Sequence, residues 1–197
     1  MSEILPSGRR RLIVAISGAS GFVYGVRLLE LLRAVDVETH LIVSRSAQTT
    51  MAYETDRKLA DVVGLADHHW RNDDLAACVS SGSYRTLGMV IAPCSMKTLA
   101  EIATGVSATL IGRAADVVLK ERKRLVLLAR ETPLHATHLK NMLAVTEMGA
   151  IVAPPVPAFY SKPASLDDMV DHTLGRVLDL FDIDAGIVRR WQGSRGA

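Results

Sequence analysis

The sequence predicts an α/β domain built on a parallel sheet that is buried on both faces, and three observations lead there. Short, mainly apolar runs of strand length recur along the chain without the alternation of a one-sided strand. Segments with apolar residues at helical spacing stand between them. The first run also passes into its helix through Ser17-Gly18-Ala19-Ser20-Gly21, a turn made only of small residues.

Residues 1–10 read as a flexible polar arm, residues 11–192 as one domain, and residues 193–197 as a tail. The first strand is 12–16, apolar and short enough for full burial. After the glycine turn Val23, Val26, Leu29 and Leu32 recur at helical spacing, with Arg27 and Arg33 between them. The second strand is 39–43, and a helix over 46–53 follows, ending in Glu54-Thr55-Asp56. The mixed stretch 57–77 predicts one short helix, and Ser80-Ser81-Gly82-Ser83 a loop. Residues 89–92 form the third strand, stopped by Pro93, and a helix opens behind Cys94-Ser95-Met96-Lys97-Thr98. Residues 110–121 are helical, 125–129 are the fourth strand, and a helix over 137–148 is closed by Gly149. The fifth strand is 150–153, which Pro154-Pro155-Val156-Pro157 cannot continue. The last helix covers 165–181, and the tail ends near Trp191. This alternation makes a doubly wound, mostly parallel sheet of the Rossmann/flavodoxin kind, with helices on both faces.

Composition excludes several classes. An apolar fraction of 49% over 197 residues rules out a disordered chain. A net charge of +2, without an RNA- or DNA-binding pattern, argues against nucleic acid as partner. Two cysteines, Cys78 and Cys94, make no disulfide framework, and the start MSEILPSGRRR has no hydrophobic core for a signal peptide. No apolar run reaches membrane length. The expectation is a soluble, cytoplasmic protein.

A buried strand, a glycine turn and an amphipathic helix bring backbone N–H groups to a positively polarised helix end, where a phosphate is the natural guest. The spacing Gly18-x-x-Gly21-x-x-x-Gly25 is neither a dinucleotide fingerprint nor a P-loop. The second strand ends in Ser44-Arg45-Ser46 and not in the acid that would hold an NAD ribose, which favours another phosphate-bearing ligand. Ligands of such sheets sit at the carboxyl ends of the strands. The loops there carry Ser20, Ser44, Ser95 to Thr98, Arg130-Glu131 and Tyr160, hydroxyls with a few charges.

Arg113 and Lys120 lie seven residues apart on one helical face, as a phosphate-binding pair or a solvated stripe. For Arg113, set among apolar residues, burial against an anion is expected; Arg122 to Arg124 read as solvated. Glu131 is either an acid–base group or the ion-pair partner of Arg130. His135 and His138 have metal-like spacing but no third ligand nearby, and read as helix-start residues. Cys94 reads as a small buried side chain more than as a nucleophile. Asp167-Asp168-Met169-Val170-Asp171 spells the DDxxD of magnesium-dependent isoprenoid synthases, yet behind Ser165 it reads as the acidic first turn of a capped helix. No metal site is predicted.

SGASG, PCSMKTL, RAADVVLKERKRLVLLARETPLHATHLKNM and PPVPAFY together resemble the UbiX-type flavin prenyltransferases, formerly described as aromatic acid decarboxylases, over residues 11–192. That resemblance implies transfer of a dimethylallyl group from its monophosphate to N5 and C6 of reduced FMN; the residues alone fit a mono- or a diphosphate. The product would serve a UbiD-type decarboxylase, and a homo-dodecamer with sites between subunits is typical. Carried over by position, FMN falls to Gly18, Ala19, Ser20, Ser44, Ser95, Met96, Lys97, Thr98 and Arg130. Lys97 departs from relatives that carry glycine there. The donor falls to Arg113, Lys120, Tyr160, Arg176 and the tail aromatic Trp191, and the acids near the reacting ring are Glu54 and Glu131.

Cations and a phenol suit a departing phosphate, and a base is needed for the C6 proton: Glu131, Glu54 or the released phosphate. A flavin-dependent cysteine decarboxylase of the phosphopantothenoylcysteine type would carry a PxSANT-like segment where this chain has Pro93-Cys94-Ser95-Met96-Lys97-Thr98. A non-catalytic flavin-binding subunit would have no need of Glu131, Lys120 and Tyr160 together.

Overall fold

The computed structural model describes residues 8–188 and 190. Six strands form one sheet in the order β3-β2-β1-β4-β5-β6, every pair parallel. They are β1 (Arg10–Ile16), β2 (Val37–Val43), β3 (His68–Arg71), β4 (Gly88–Cys94), β5 (Arg124–Ala129) and β6 (Ile151–Val152). The helices are α1 (Phe22–Arg33), α2 (Arg45–Glu54), α3 (Leu59–Val63), α4 (Met96–Thr104), α5 (Leu110–Lys120), α6 (Ala136–Glu147) and α7 (Leu166–Asp179).

Residues of a strand alternate between the two faces, and β1 shows what this does to an all-apolar run. Leu12, Val14 and Ile16 join the core under α1 and α7, whereas Ile13 and Ala15 join the one under α4 and α5. Each side chain from Leu12 to Ile16 is 0–1% exposed, so both faces of the sheet are covered. Among the described residues no helix is long and apolar enough to cross a membrane.

Four expectations need correction. The sheet has a sixth strand, β3, inside the mixed stretch 57–77; it is a polar edge strand, His-His-Trp-Arg, and lacks the apolar run that marks the others. Pro93 does not stop β4, which runs on to Cys94 through an irregularity between Ile91 and Cys94. The arm ends earlier than residue 10, because Arg9 pairs with Asp67 at 2.8 Å and Arg10 opens β1. The last strand, β6, has only two residues.

Candidate active site

The strand order turns back between β1 and β4, and in such sheets the crevice at that point takes the ligand. Ser17, directly after β1 and 1% exposed, ties the two strand ends together. Its N–H and its hydroxyl donate to the Pro93 carbonyl at 3.1 and 3.0 Å, and its Oγ accepts the Ser95 N–H at 2.8 Å. Gly18 follows, where any Cβ would collide with the Ser46 side chain, so the turn after β1 packs against the first turn of α2 only because residue 18 is glycine. Gly21 caps α1 in the left-handed conformation, φ 102°, which again calls for glycine.

The helix end behind this turn is closed by the chain itself. Glu54, the last residue of α2, accepts the Gly21 N–H at 3.0–3.1 Å and the Phe22 N–H at 2.8 Å. Burial pushes its carboxyl upward, but hydrogen bonds from Ser20, Phe22 and Gly21 and the charge of Arg130 hold it below the usual carboxylate range. The phosphate expected at the N-terminus of α1 is thus displaced by a carboxylate from 33 residues away, a contact that no local pattern reveals.

The N-terminus of α4 is built differently. Ser95 caps it, its Oγ accepting the Thr98 N–H at 3.3 Å and lying 3.2 Å from Thr98 Oγ1. Among the described residues the N–H groups of Met96 and Lys97 have no partner. Ser44 caps α2 in the same way, accepting the Ala47 N–H at 3.1 Å, with Ser46 Oγ also 3.1 Å away. These two polarised helix ends and their hydroxyls suit the phosphate of a flavin mononucleotide, and the β1–β4 crevice between them suits its ring.

Arg130 reaches the same edge, its N–H bonded to the Cys94 carbonyl at 3.1 Å. Among the described residues Glu131 accepts only the Thr132 N–H, at 3.0 Å, and makes no ion pair with Arg130; the cation acts on Glu54 instead. That removes the ion-pair reading of Glu131. Cys94 is fully buried, and burial pushes its thiol up to about 12, which leaves it without nucleophilic thiolate at neutral pH.

The residues assigned to the donor are not gathered in one place. Tyr160 sits on a single turn after the proline segment, its hydroxyl 3.2 Å from His172 Nε2 on α7. Arg176, one turn further along α7, pairs with Asp179 at 2.7 Å. Arg113 is not buried against an anion: its side chain is 37% exposed and pairs with Asp116 at 2.7 Å, since its apolar sequence neighbours face the core and it does not. Lys120 binds Glu121 and lies beside Gly82, at the end of α5 that leads into the start of β5. A strand rises roughly 3.3 Å per residue, so β5 separates Lys120 from Arg130 by about 20 Å within one chain. Trp191 lies outside the described residues. Sequence reasoning missed Ser17, read only as one small residue of the turn, and His172, which carries no local signal.

Among the described residues one group of three, Glu38, His40 and His68, is close enough to hold an ion. Its hydrogen bonds argue against that. Trp70 Nε1 donates to His40 Nδ1 at 3.1 Å, which puts the ring proton on Nε2, the very atom that faces Glu38. Arg11 neutralises Glu38 at 3.1 Å, and burial pushes His40 down to about 4, so the ring is neutral. The cluster is a buried polar network. The DDMVD acids serve α7: Asp168 accepts the Ala164 N–H at 2.7 Å, Ser165 accepts the Asp168 N–H at 3.1 Å, and Asp171 grips Arg27 at 2.7 and 2.9 Å. His135 starts α6, its Nδ1 accepting the Thr137 N–H at 3.2 Å.

The model of the Flavoprotein family matches residues 3–191. The flavin prenyltransferase UbiX of Neisseria meningitidis is 56% identical over 93% of this chain and 97% of its own. Among solved structures, AnUbiX (PadA1) in complex with FMN and dimethylallyl pyrophosphate superposes with a TM-score of 0.92 at 55% identity, covering 94% of this chain and 98% of that one. A dodecameric FMN-dependent UbiX-like decarboxylase from Escherichia coli O157:H7 gives 0.90 at 52% identity, covering 93% and 100%. With its switch-point crevice and its likeness to these proteins along nearly the whole chain, the protein belongs to the flavin prenyltransferase family of flavoproteins.

Proposed function

We propose that this protein transfers a dimethylallyl group from dimethylallyl monophosphate to N5 and C6 of reduced FMN, and that the prenylated flavin passes to a UbiD-type decarboxylase. The observation that carries the flavin part is the β1–β4 crevice: open N–H groups of Met96 and Lys97, hydroxyls of Ser44, Ser95 and Thr98, and no acid at the end of β2. Gly18, Ala19, Ser20 and Arg130 border the same crevice.

Reduced FMN supplies two nucleophilic atoms when bound; the protein's part is to hold the donor and move a proton. Tyr160 offers a hydroxyl and Arg176 a cation to the departing phosphate, and Arg113 and Lys120 offer two more cations. Because Lys120 stands at the far end of its own sheet, it would join a site only from a second copy of the chain. Leu139, Leu143, Val156 and Phe159, all more than half exposed, support assembly into a homo-oligomer, a dodecamer as in the E. coli relative. Glu131 is the group with a free acceptor at the crevice edge and takes the C6 proton. No metal takes part, since fixed cations balance a monophosphate. Two free cysteines fit a cytoplasmic setting.

Anaerobic incubation with reduced FMN and dimethylallyl monophosphate, in EDTA, should yield FMN plus a five-carbon adduct by mass spectrometry. Bound FMN without adduct would leave a flavin-binding subunit. Activity lost to EDTA and restored by magnesium would overturn the metal-free reading, and turnover only with the diphosphate would correct the donor.

A further inference from the structure

Ser17 stands where the two halves of the sheet part, and its side chain is engaged from both directions. The regular register of β1 with β4 ends at the pair Ala15 and Ile91. Beyond that pair Ser17 carries the connection onward, to the segment that opens α4. The partners fix both roles of its hydroxyl. The Pro93 carbonyl can only accept, at 3.0 Å, and the Ser95 N–H can only donate, at 2.8 Å. The Ser17 N–H adds a third bond, to the same carbonyl at 3.1 Å. The residue is 1% exposed, so bulk solvent does not replace a partner lost here.

What depends on these bonds is the start of α4. Ser95 is its N-cap, with Oγ accepting the Thr98 N–H at 3.3 Å. The N–H groups of Met96 and Lys97, open among the described residues, follow directly. On the other side of β1 the Ser44 N–H donates to the Ile16 carbonyl at 3.0 Å, and Ser44 caps α2. Residues 16 and 17 are thus the common reference for both polarised helix ends. Hydrogen bonds weaken steeply with angle, so the aim of N–H groups toward a phosphate matters as much as their number. We infer that Ser17 is a positioning residue for the flavin phosphate. Its hydroxyl holds Ser95, and through Ser95 the open N–H groups of α4, beside the turn Gly18-Ala19-Ser20. It acts through its neighbours and not by touching the cofactor. This rests on the flavin phosphate lying at these helix ends, as proposed above.

Titration of the full-length protein with FMN, and with riboflavin, which has the ring and ribityl chain without the phosphate, tests it. The parent should prefer FMN. Ser17→Ala should raise the Kd for FMN roughly tenfold, the order of one buried hydrogen bond left unmade, and change that for riboflavin by less than about twofold. Ser17→Thr, which keeps the hydroxyl, should bring FMN binding back toward the parent. Unchanged FMN affinity in Ser17→Ala, or equal losses for the two flavins, overturns the inference while FMN keeps its place. A threonine variant as weak as alanine overturns it as well, because packing and not the hydroxyl would then hold Ser95. A parent that binds riboflavin as tightly as FMN overturns the phosphate placement and the inference with it. If the alanine variant does not fold, Ser17→Cys, close in size and a weak hydrogen-bonding group, takes its place with the same outcomes.

Discussion

Glu54 and Glu131 flank the same crevice, and their surroundings differ. The Glu54 carboxylate accepts two backbone N–H groups at 2.8–3.1 Å, and Ser20 and Arg130 add to the pull that keeps it ionised. Glu131 lies beyond β5 and, among the described residues, has one bond, to the N–H of its own neighbour. A carboxylate that closes a helix end holds its donors best when charged, because protonating it turns one accepting oxygen into an O–H and weakens the hold on the Gly21 and Phe22 N–H groups. A carboxylate with one weak tie can accept a proton and give it up again. In the function proposed above, that difference makes Glu54 a fixture of the turn and Glu131 the proton carrier.

The largest effect should follow from Glu131→Gln. General acid–base groups contribute roughly a hundredfold or more, so turnover should fall by about that factor. FMN affinity should stay within about twofold, since the same amide still fits the loop. Full activity in this variant, measured as prenylated flavin formed per minute, would break the division. Glu54→Gln should act the other way. Replacing the charge at the N-terminus of α1 should cost about 0.3–1 kcal/mol in urea unfolding and weaken FMN binding, because Gly18 to Gly21 lose their anchor. A variant with normal stability and flavin affinity but no turnover would make Glu54 the proton carrier.

Acid titration sharpens the same point. The folded pKa of Glu54 lies below its ordinary value of 4.5, so its stabilisation is complete above that value. It is lost as the pH falls below 4.5 and through the folded value, where the native carboxylate takes up its proton. Unfolding free energy measured from pH 6 to 3 should therefore fall less steeply in Glu54→Gln than in the parent. Parallel curves would mean that Glu54 does not hold the turn through its charge.

Part of this was legible in the sequence. Local pattern gives the buried strands, the helices between them and the hydroxyls at the crevice, because hydrophobic period and capping are properties of neighbours in the chain. Ser44, Ser95 and Ser165 cap α2, α4 and α7 within three residues of themselves. What local pattern cannot give is closure over distance. Glu54 returns to Gly21, Ser17 reaches Pro93, and Tyr160 meets His172, each pair joined only by the fold. Polarity misled once: His68–Arg71 is a strand because it pairs with His40 to Val43 at the sheet edge, where side chains need not be apolar. Arg113 misled in the opposite direction, since apolar neighbours on a helix say little about the residue that faces out.

The smallest effect is a control on the comparison of Glu54 with Glu131. Asp168 also serves a helix start: it accepts the Ala164 N–H at 2.7 Å while Ser165 accepts the Asp168 N–H at 3.1 Å. Its chemistry matches that of Glu54, an acid on the positive end of a helix, but it borders α7 and not the flavin turn. If charge at a helix end were all that Glu54 supplied, the two variants would behave alike. Asp168→Asn should lower stability by about 0.3–1 kcal/mol, as Glu54→Gln does, and leave FMN affinity and prenyl transfer at parent values. Thermal melts, flavin titration and turnover on the pair read all three quantities. A flavin defect in Asp168→Asn would mean that general loosening, and not the anchored turn, explains the loss in Glu54→Gln. A turnover defect in Asp168→Asn that magnesium modulates would return the DDMVD acids to consideration as a metal site.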